Sequence, residues 1–431
     1  MTKPLEVDAA DVDVVVVGGG IGGGAISAAL ARSGISVEIL EIQDEYRDQN
    51  RGEALSPWGA GEAERLGLGD ALYDADPAPL ERWVQWDEIY DPSEAPTVNL
   101  LQMSLGARCP YAIHHHRTCE SFVAAARAAG ATLRMGVRQL DITAGAHPTV
   151  SYTCGSTRYQ RRCRLVVGAG GRAAPTGRLV GLRQQITSHH WGGSLAVDGL
   201  DAWPAAVQAI GTEDRKMFFV FPQNGGRARL YLNYPTEDRR LYAGRSGTER
   251  FLAAFDLRCL PPHLRGLLLD ARPASTCMNE PSRTSTMERP YTDGVVLLGD
   301  EAGTNDTVLG TGLANALRDA RILFELLMSN RRWDVGIFEP YLRERTERMR
   351  KMNVAAGLLC KLSAEFGLDV KERRRRAWAR MRKEPNYMVT LMIAMAGPER
   401  VPDFATSDFL VERLLAGDRP RRRAAVPVGT R

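Results

Sequence analysis

Between Val12 and Val17 the chain is apolar and β-branched apart from one aspartate, a run that predicts a buried parallel strand. Glycines follow, then an alanine-rich segment from Gly22 to Arg32 with helical character and a stop at Gly34. A second apolar run, Val37 to Leu40, predicts another strand, ending at Glu41. The same grammar returns late in the chain. Val295 to Leu298 predict a buried strand, Gly299 and Asp300 follow, and a helix-forming run begins near Gly312. Between these, KMFFVFPQNGGRARLYLNY reads as two strands, Met217 to Phe221 and Ala228 to Tyr234, joined by a turn at Asn224-Gly225. His189, His190 and Trp191 open a further strand. After Leu313 the pattern turns helical: RRWDVGIFEPYLRERTERMRKMNVAAGLLCKL carries apolar positions at helical spacing, and DVKERRRRAWARMRKEPNYM comes after it.

Length and composition narrow the class. A chain of 431 residues is long for one compact unit, so two lobes are expected. A hydrophobic content of 44% and a charged content of 25% suit a globular protein. No apolar run reaches bilayer-spanning length, and MTKPLEVDAADVD lacks a signal core, so a cytoplasmic protein without a membrane role is expected. The seven cysteines are widely spread without a CxxC pair, which argues against a disulfide framework or a zinc site. The net charge of +4 is concentrated in a tail holding Arg419, Arg421, Arg422, Arg423 and Arg431, which leaves the body at −1. That distribution is a weak basis for nucleic-acid binding, and no nucleic-acid partner is expected. The run Arg373 to Arg376 reads as a solvated helix face.

Gly18, Gly20 and Gly23 satisfy GxGxxG between the first strand and the first helix. Gly18 allows the tight turn, Gly20 lets a pyrophosphate approach the backbone, and Gly23 lets helix and strand pack closely. Ile21 and Gly22 open the helix, whose free N–H groups and dipole suit an anion. Glu41, roughly 20 residues on, is where a carboxylate accepts ribose hydroxyls, and it disfavours a 2′-phosphate. The alternative for these glycines alone is a glycine-rich turn in another α/β protein. For the second motif alone, it is an ordinary strand–turn–helix with an aspartate cap.

Taken together, the two motifs resemble the FAD-dependent monooxygenases of the para-hydroxybenzoate hydroxylase type, over about Val12 to Ala320. The resemblance implies an α/β fold: a Rossmann-type FAD-binding domain (11–75, 107–176 and 291–330), an inserted β-sheet substrate domain (76–106 and 177–290), a helical C-terminal region (331–417) and a basic disordered tail (418–431). It implies FAD held by Asp300 at the ribityl chain, with Gly299, Gly310, Gly312 and Leu313 near the ring and pyrophosphate. It also implies nucleotide contacts from Arg51 in RGEALSP and from Arg117 in YAIHHHRTCESFVAAARAAG, where His116 is the alternative position. The sheet would floor a pocket in which Phe219, Phe221 and Tyr231 meet the substrate, although such aromatics also serve as core. The three consecutive histidines are expected on a strand, pointing to alternate faces, and no metal is expected.

The implied activity is hydroxylation of a small, aromatic or specialised-metabolism substrate by oxygen. NADH or NADPH would reduce the flavin, and a flavin C4a-hydroperoxide would carry the oxygen. The protein would act as a monomer or homodimer, and no catalytic side chain is assigned. Two departures from the family pattern leave a non-oxygenating reductase, dehydrogenase or cyclase as the alternative. Where relatives carry an aspartate before Gly171 this chain has Gly170, with Arg172 nearby to meet a pyrophosphate. Where they carry a proline near the flavin's reactive edge it has Thr307.

Overall fold

The computed structural model describes residues 7–48, 52–104 and 108–416. The valine runs become strands because every side chain in them is covered. The strands β1 (Val14–Val17) and β2 (Val37–Leu40) are buried throughout, and the helix α1 (Ile21–Arg32) joins them. They sit in a six-stranded sheet with four further strands. These are Thr132–Arg134, Leu165–Gly168, Val295–Leu297 and a short edge strand at Tyr291–Thr292. The pairings inside that edge are parallel, in register Val14 with Val37, Val14 with Leu165 and Val166 with Val295. A parallel sheet is covered on both faces, which is why its strands read as continuous apolar runs. The carboxyl ends of three of these strands lead into glycine turns at Gly18, Gly170 and Gly299.

A second, eight-stranded sheet is largely antiparallel. Its centre is three long strands, β3 (His190–Asp198), β4 (Lys216–Pro222) and β5 (Arg227–Pro235), with Phe219 opposite Tyr231. The predicted turn forms there, with Gly225 and Gly226 both at positive φ. Sequence distance does not limit membership, since Arg82–Gln85 joins this sheet in parallel to Val207–Glu213. A separate four-stranded sheet uses Val7–Asp11 and three strands between Arg138 and Arg162; nothing in the hydrophobic pattern marks it.

Helices close the remaining side. The helix α2 (Gly312–Ser329) begins at the predicted glycine and packs on α1. After it come α3 (Glu339–Leu359), which passes into a π-helical turn over Cys360–Ala364, then α4 (Leu368–Lys383) and α5 (Val389–Ala396). Among the described residues no helix is long and apolar enough to cross a membrane.

Two sequence expectations are corrected here. The histidines do not lie on a strand: His114 precedes a helix, and His115 and His116 form the first turn of His115–Ala128. The arginine run is not a uniformly solvated face. Arg374 is 1% exposed and stands against Asp87 and Glu88, at 3.2 and 2.7 Å. Arg51 and the tail 418–431 fall outside the described residues.

Candidate active site

The glycine turns of the parallel sheet, the floor of the antiparallel sheet and the C-terminal helices enclose a cavity of about 750 Å³. Its two ends differ in chemistry. One is lined by Gly18, Gly20, Ile21, Gly22 and Glu41 from the first motif and by Gly299, Asp300, Gly310, Gly312 and Leu313 from the second. The other is apolar, lined by Trp83, Ile210, Phe219, Phe221, Tyr231, Leu359 and Leu391. Thr307 lies on the same wall.

The glycine end has the shape a dinucleotide needs. Gly18 adopts φ +111°, and a Cβ there would stand 2.3 Å from the carbonyl oxygen of Ala169, so only glycine fits this crossing. A Cβ on Gly23 would stand 1.9 Å from the carbonyl oxygen of Gly18, so this glycine sets the helix-to-strand contact behind the wall. At Gly20 a Cβ would meet nothing within 4 Å, because the turn opens into the cavity. The N-termini of α1 and α2 both reach it. Glu41 is buried and held at both oxygens, Oε2 accepting from Gly19 N–H at 2.8 Å and Oε1 from Gln43 N–H at 2.9 Å. Two helix starts, an uncovered glycine backbone and fixed carboxylates fit FAD.

Other expected residues sit elsewhere. Arg117 is half-exposed, 3.8 Å from Asp76, and off the cavity wall, whereas His115 and His116 are on it. The position beside the arginine is therefore the one that faces the cavity. Arg172 lines the wall but is engaged, bonded to Glu280 and 3.5 Å from Asp300.

A carboxylate from another strand end stands beside Gly170, behind the cavity wall. Glu301, fully buried, accepts the Gly170 N–H at 2.6 Å and the Gly177 N–H at 3.0 Å. Burial raises its pKa, and these backbone donors pull against that. A Cβ at Gly170 would stand 2.4 Å from Pro175 Cδ and 3.1 Å from Glu301 Oε2, so the space for an aspartate is taken. Glu301 stands one residue past Asp300, where the sequence pattern singled out no residue.

Beneath that turn lies a second missed group. Asp319, with no exposed surface, accepts the Gly299 N–H at 2.8 Å and pairs with Arg345 at 3.1 Å and Arg348 at 2.5 Å. Burial alone would raise its pKa, but the two guanidinium groups outweigh this and the net shift is downward. Behind Thr307, its hydroxyl is 2.7 Å from Ser282 Oγ, which donates to Asp306 Oδ1 at 2.9 Å. The buried His190 Nε2 is 3.6 Å from the same oxygen, and Cys360 completes a His–Asp–Cys group with ligand atoms within 4.8 Å of one another. Asp306 Oδ1 also accepts the Val308 N–H, and burial pushes the Cys360 thiol up, so these groups brace the Thr307 turn.

A protein-family profile for an FAD binding domain matches residues 11–356. The chain belongs to the FAD-dependent group A monooxygenases. Members of this family are flavin-dependent oxidoreductases, and the chain is one of them. Among curated relatives it is 24% identical to squalene epoxidase erg1 of Aspergillus fumigatus over 84% of this chain and 79% of that one. It also matches squalene monooxygenase of Mus musculus at 23% identity over 74% of this chain, spanning 55% of the mouse protein. Digeranylgeranylglycerophospholipid reductase 2 of Methanococcoides burtonii is 22% identical over 73% of this chain and 74% of the reductase. In fold, it superposes on p-nitrophenol 4-monooxygenase of Pseudomonas putida with a TM-score of 0.75, at 16% identity, covering 96% of this chain and 100% of that one.

Proposed function

We propose that this enzyme uses bound FAD, reduced by NADH or NADPH, to insert one oxygen atom into a small, largely apolar aromatic substrate. The observation that carries the reading is the continuity of the cavity from the glycine turns to the aromatic floor. A cofactor held at one end and a substrate at the other would meet inside it, away from bulk water. Gly18, Gly20, Ile21 and Gly22 would hold the pyrophosphate, Glu41 the adenosine ribose, and Asp300 the ribityl chain. Gly299, Gly310, Gly312 and Leu313 would face the ring system. His116 replaces Arg117 as the contact from that helix. FAD supplies the reduction and oxygen activation when bound; the chain supplies orientation, exclusion of water and proton handling. Phe219, Phe221 and Leu391 would exclude water from the reacting end.

The reading with Thr307 at its centre is a flavoprotein of this fold that reduces its substrate and does not oxygenate it. Thr307 puts a hydrogen-bonded hydroxyl on the cavity wall in the place of a proline. An anaerobic titration of the FAD-loaded enzyme with NADH and then NADPH, with and without panels of phenols and isoprenoid alkenes, separates the two. Flavin bleaching accelerated by one compound, followed on admission of oxygen-18-labelled dioxygen by a product carrying one labelled atom, is the expected result. Bleaching followed by saturation of an alkene, with no label incorporated, would replace it by the reductase reading.

A further inference from the structure

Behind the Thr307 turn the chain brings together a histidine, a carboxylate and a thiol from three distant segments. His190 opens β3, Asp306 leads into the turn, and Cys360 begins the π-helical turn that ends α3. Their ligand atoms lie within 4.8 Å of one another. As a hydrogen-bonded cluster the group is incomplete. His190 Nε2 stands 3.6 Å from Asp306 Oδ1, beyond hydrogen-bond reach, and has no hydrogen-bond partner although the residue is 3% exposed. Two ligands at about 2.0–2.2 Å from a tetrahedral cation stand about 3.4 Å apart, so the same spacing suits a shared ion. The widest of the three separations has to close by about 1 Å, within reach of a rotation of the Cys360 side chain. Asp306 is already oriented, its Oδ1 accepting from the Val308 N–H at 3.0 Å and from Ser282 Oγ at 2.9 Å. Hydrogen bonds of this kind hold ligating carboxylates in place. Burial lowers the His190 pKa, which keeps the imidazole neutral with a lone pair to give, and the Asn233 side chain hydrogen-bonds the same ring.

We propose that His190, Asp306 and Cys360 form a site for one divalent cation of the zinc class, behind the cavity wall and apart from the flavin chemistry. The donor set decides the class. An imidazole nitrogen, a carboxylate oxygen and a thiolate suit zinc, whereas magnesium and calcium take oxygen ligands. Ser282 Oγ, buried and 2.9 Å from Asp306 Oδ1, is placed to be the fourth ligand or to hold the water that is. Binding breaks the Cys360 S–H bond. The proton leaves to solvent, the sulfur electron pair goes to the metal, and no oxidation state changes. None of the three ligands lines the cavity, but Ser282 and Thr307 do, with their hydroxyls 2.7 Å apart. An ion here ties the antiparallel sheet, the Thr307 turn and the C-terminal helices to one another, and its occupancy reaches the cavity wall through Thr307. Ligands this far apart in the chain leave no spacing motif.

The test uses the full-length FAD-loaded protein, stripped with a chelator under argon and returned to zinc chloride. Competition with a chromogenic zinc indicator should give one zinc per chain, and the unfolding temperature should climb with free zinc. Cobalt chloride in its place should produce a thiolate-to-cobalt charge-transfer band and tetrahedral bands to the red of the flavin absorption. Cys360→Ser should abolish the charge-transfer band. Cys360→Ser and His190→Gln should each weaken zinc binding roughly tenfold or more and retain flavin. Cys154→Ser, at a cysteine outside the group, should alter none of these readings. If His190→Gln loses flavin, the wild-type cobalt spectrum decides, and the lack of a thiolate band there overturns the site. No zinc uptake, or wild-type zinc affinity in either variant, overturns it as well.

Discussion

At residue scale, a buried carboxylate stands against Gly170. Glu301 serves the Gly170 and Gly177 amides from the far side of the turn, and Pro175 fills the room an aspartate would take. Restoring the family residue should therefore harm the protein. Gly170→Asp places a Cβ 2.4 Å from a proline ring atom and a second acid beside Glu301. Overpacking of this kind costs about 1–3 kcal/mol. Glu301→Ala strands buried backbone donors at about 1–3 kcal/mol each. Both variants should melt earlier and release FAD more readily, measured by thermal unfolding and flavin fluorescence; a gain in flavin affinity for Gly170→Asp would contradict the argument. Glu53, buried on the cavity wall, gives a second, pH-linked expectation. Its pKa is raised from 4.5 to about 7 on folding, so the folded state binds the extra proton between those values. The stability this provides is present below 4.5 and is lost as pH rises through about 7. The full swing is on the order of 3 kcal/mol, and Glu53→Gln should remove it, flattening the unfolding free energy across that window.

At element scale, the sequence was readable where one residue type dominated a whole strand. Val14–Val17, Val37–Leu40 and the start at Gly312 were found nearly to the residue, because a doubly covered strand must be apolar at every position and a helix at a glycine turn has a sharp beginning. Where partners are distant the pattern was silent. The partner of Arg374 is Asp87, 287 positions away, and no local period announces it. Four consecutive helical residues sweep roughly 300° around the axis, so a run of arginines cannot all face water once the helix is packed on one side. The histidines failed for a related reason: the strand before them is only Tyr111–Ala112, too short to impose its two-residue period on His114, His115 and His116. Arg374→Ala should cost about 3–5 kcal/mol, since it leaves the buried Asp87 without its cation. Asp87, already raised to about 6 by burial, loses the guanidinium that restrains it and shifts further up. Arg375→Ala, an exposed neighbour paired with Glu372, should stay within about 0.5 kcal/mol. Equal losses at the two positions in denaturant melts would show that the helix is held by something other than this ion pair.

At the scale of the whole molecule, the cavity belongs to no single segment. Its polar end was legible because glycine spacing records a close approach between backbone and ligand. Of its apolar end only Phe219, Phe221 and Tyr231 were expected, because Trp83, Ile210, Leu359 and Leu391 arrive from four separate elements and each resembles ordinary core. Only the fold distinguishes an apolar side chain that faces a neighbour from one that faces a void. This division predicts that the two ends can be perturbed separately. Leu391 lies on α5, lines the cavity, and packs in the cluster that includes Trp83, Met103 and Phe219. Leu391→Trp should project a larger ring into the apolar end and leave Gly18, Glu41 and Asp300 untouched. Flavin content after purification should then match the wild type, while KM rises for the bulkier members of a substrate series before it rises for the smaller. Loss of flavin in step with loss of substrate binding would mean that the C-terminal helices support the cofactor end as well. In that case the cavity would be one cooperative shell.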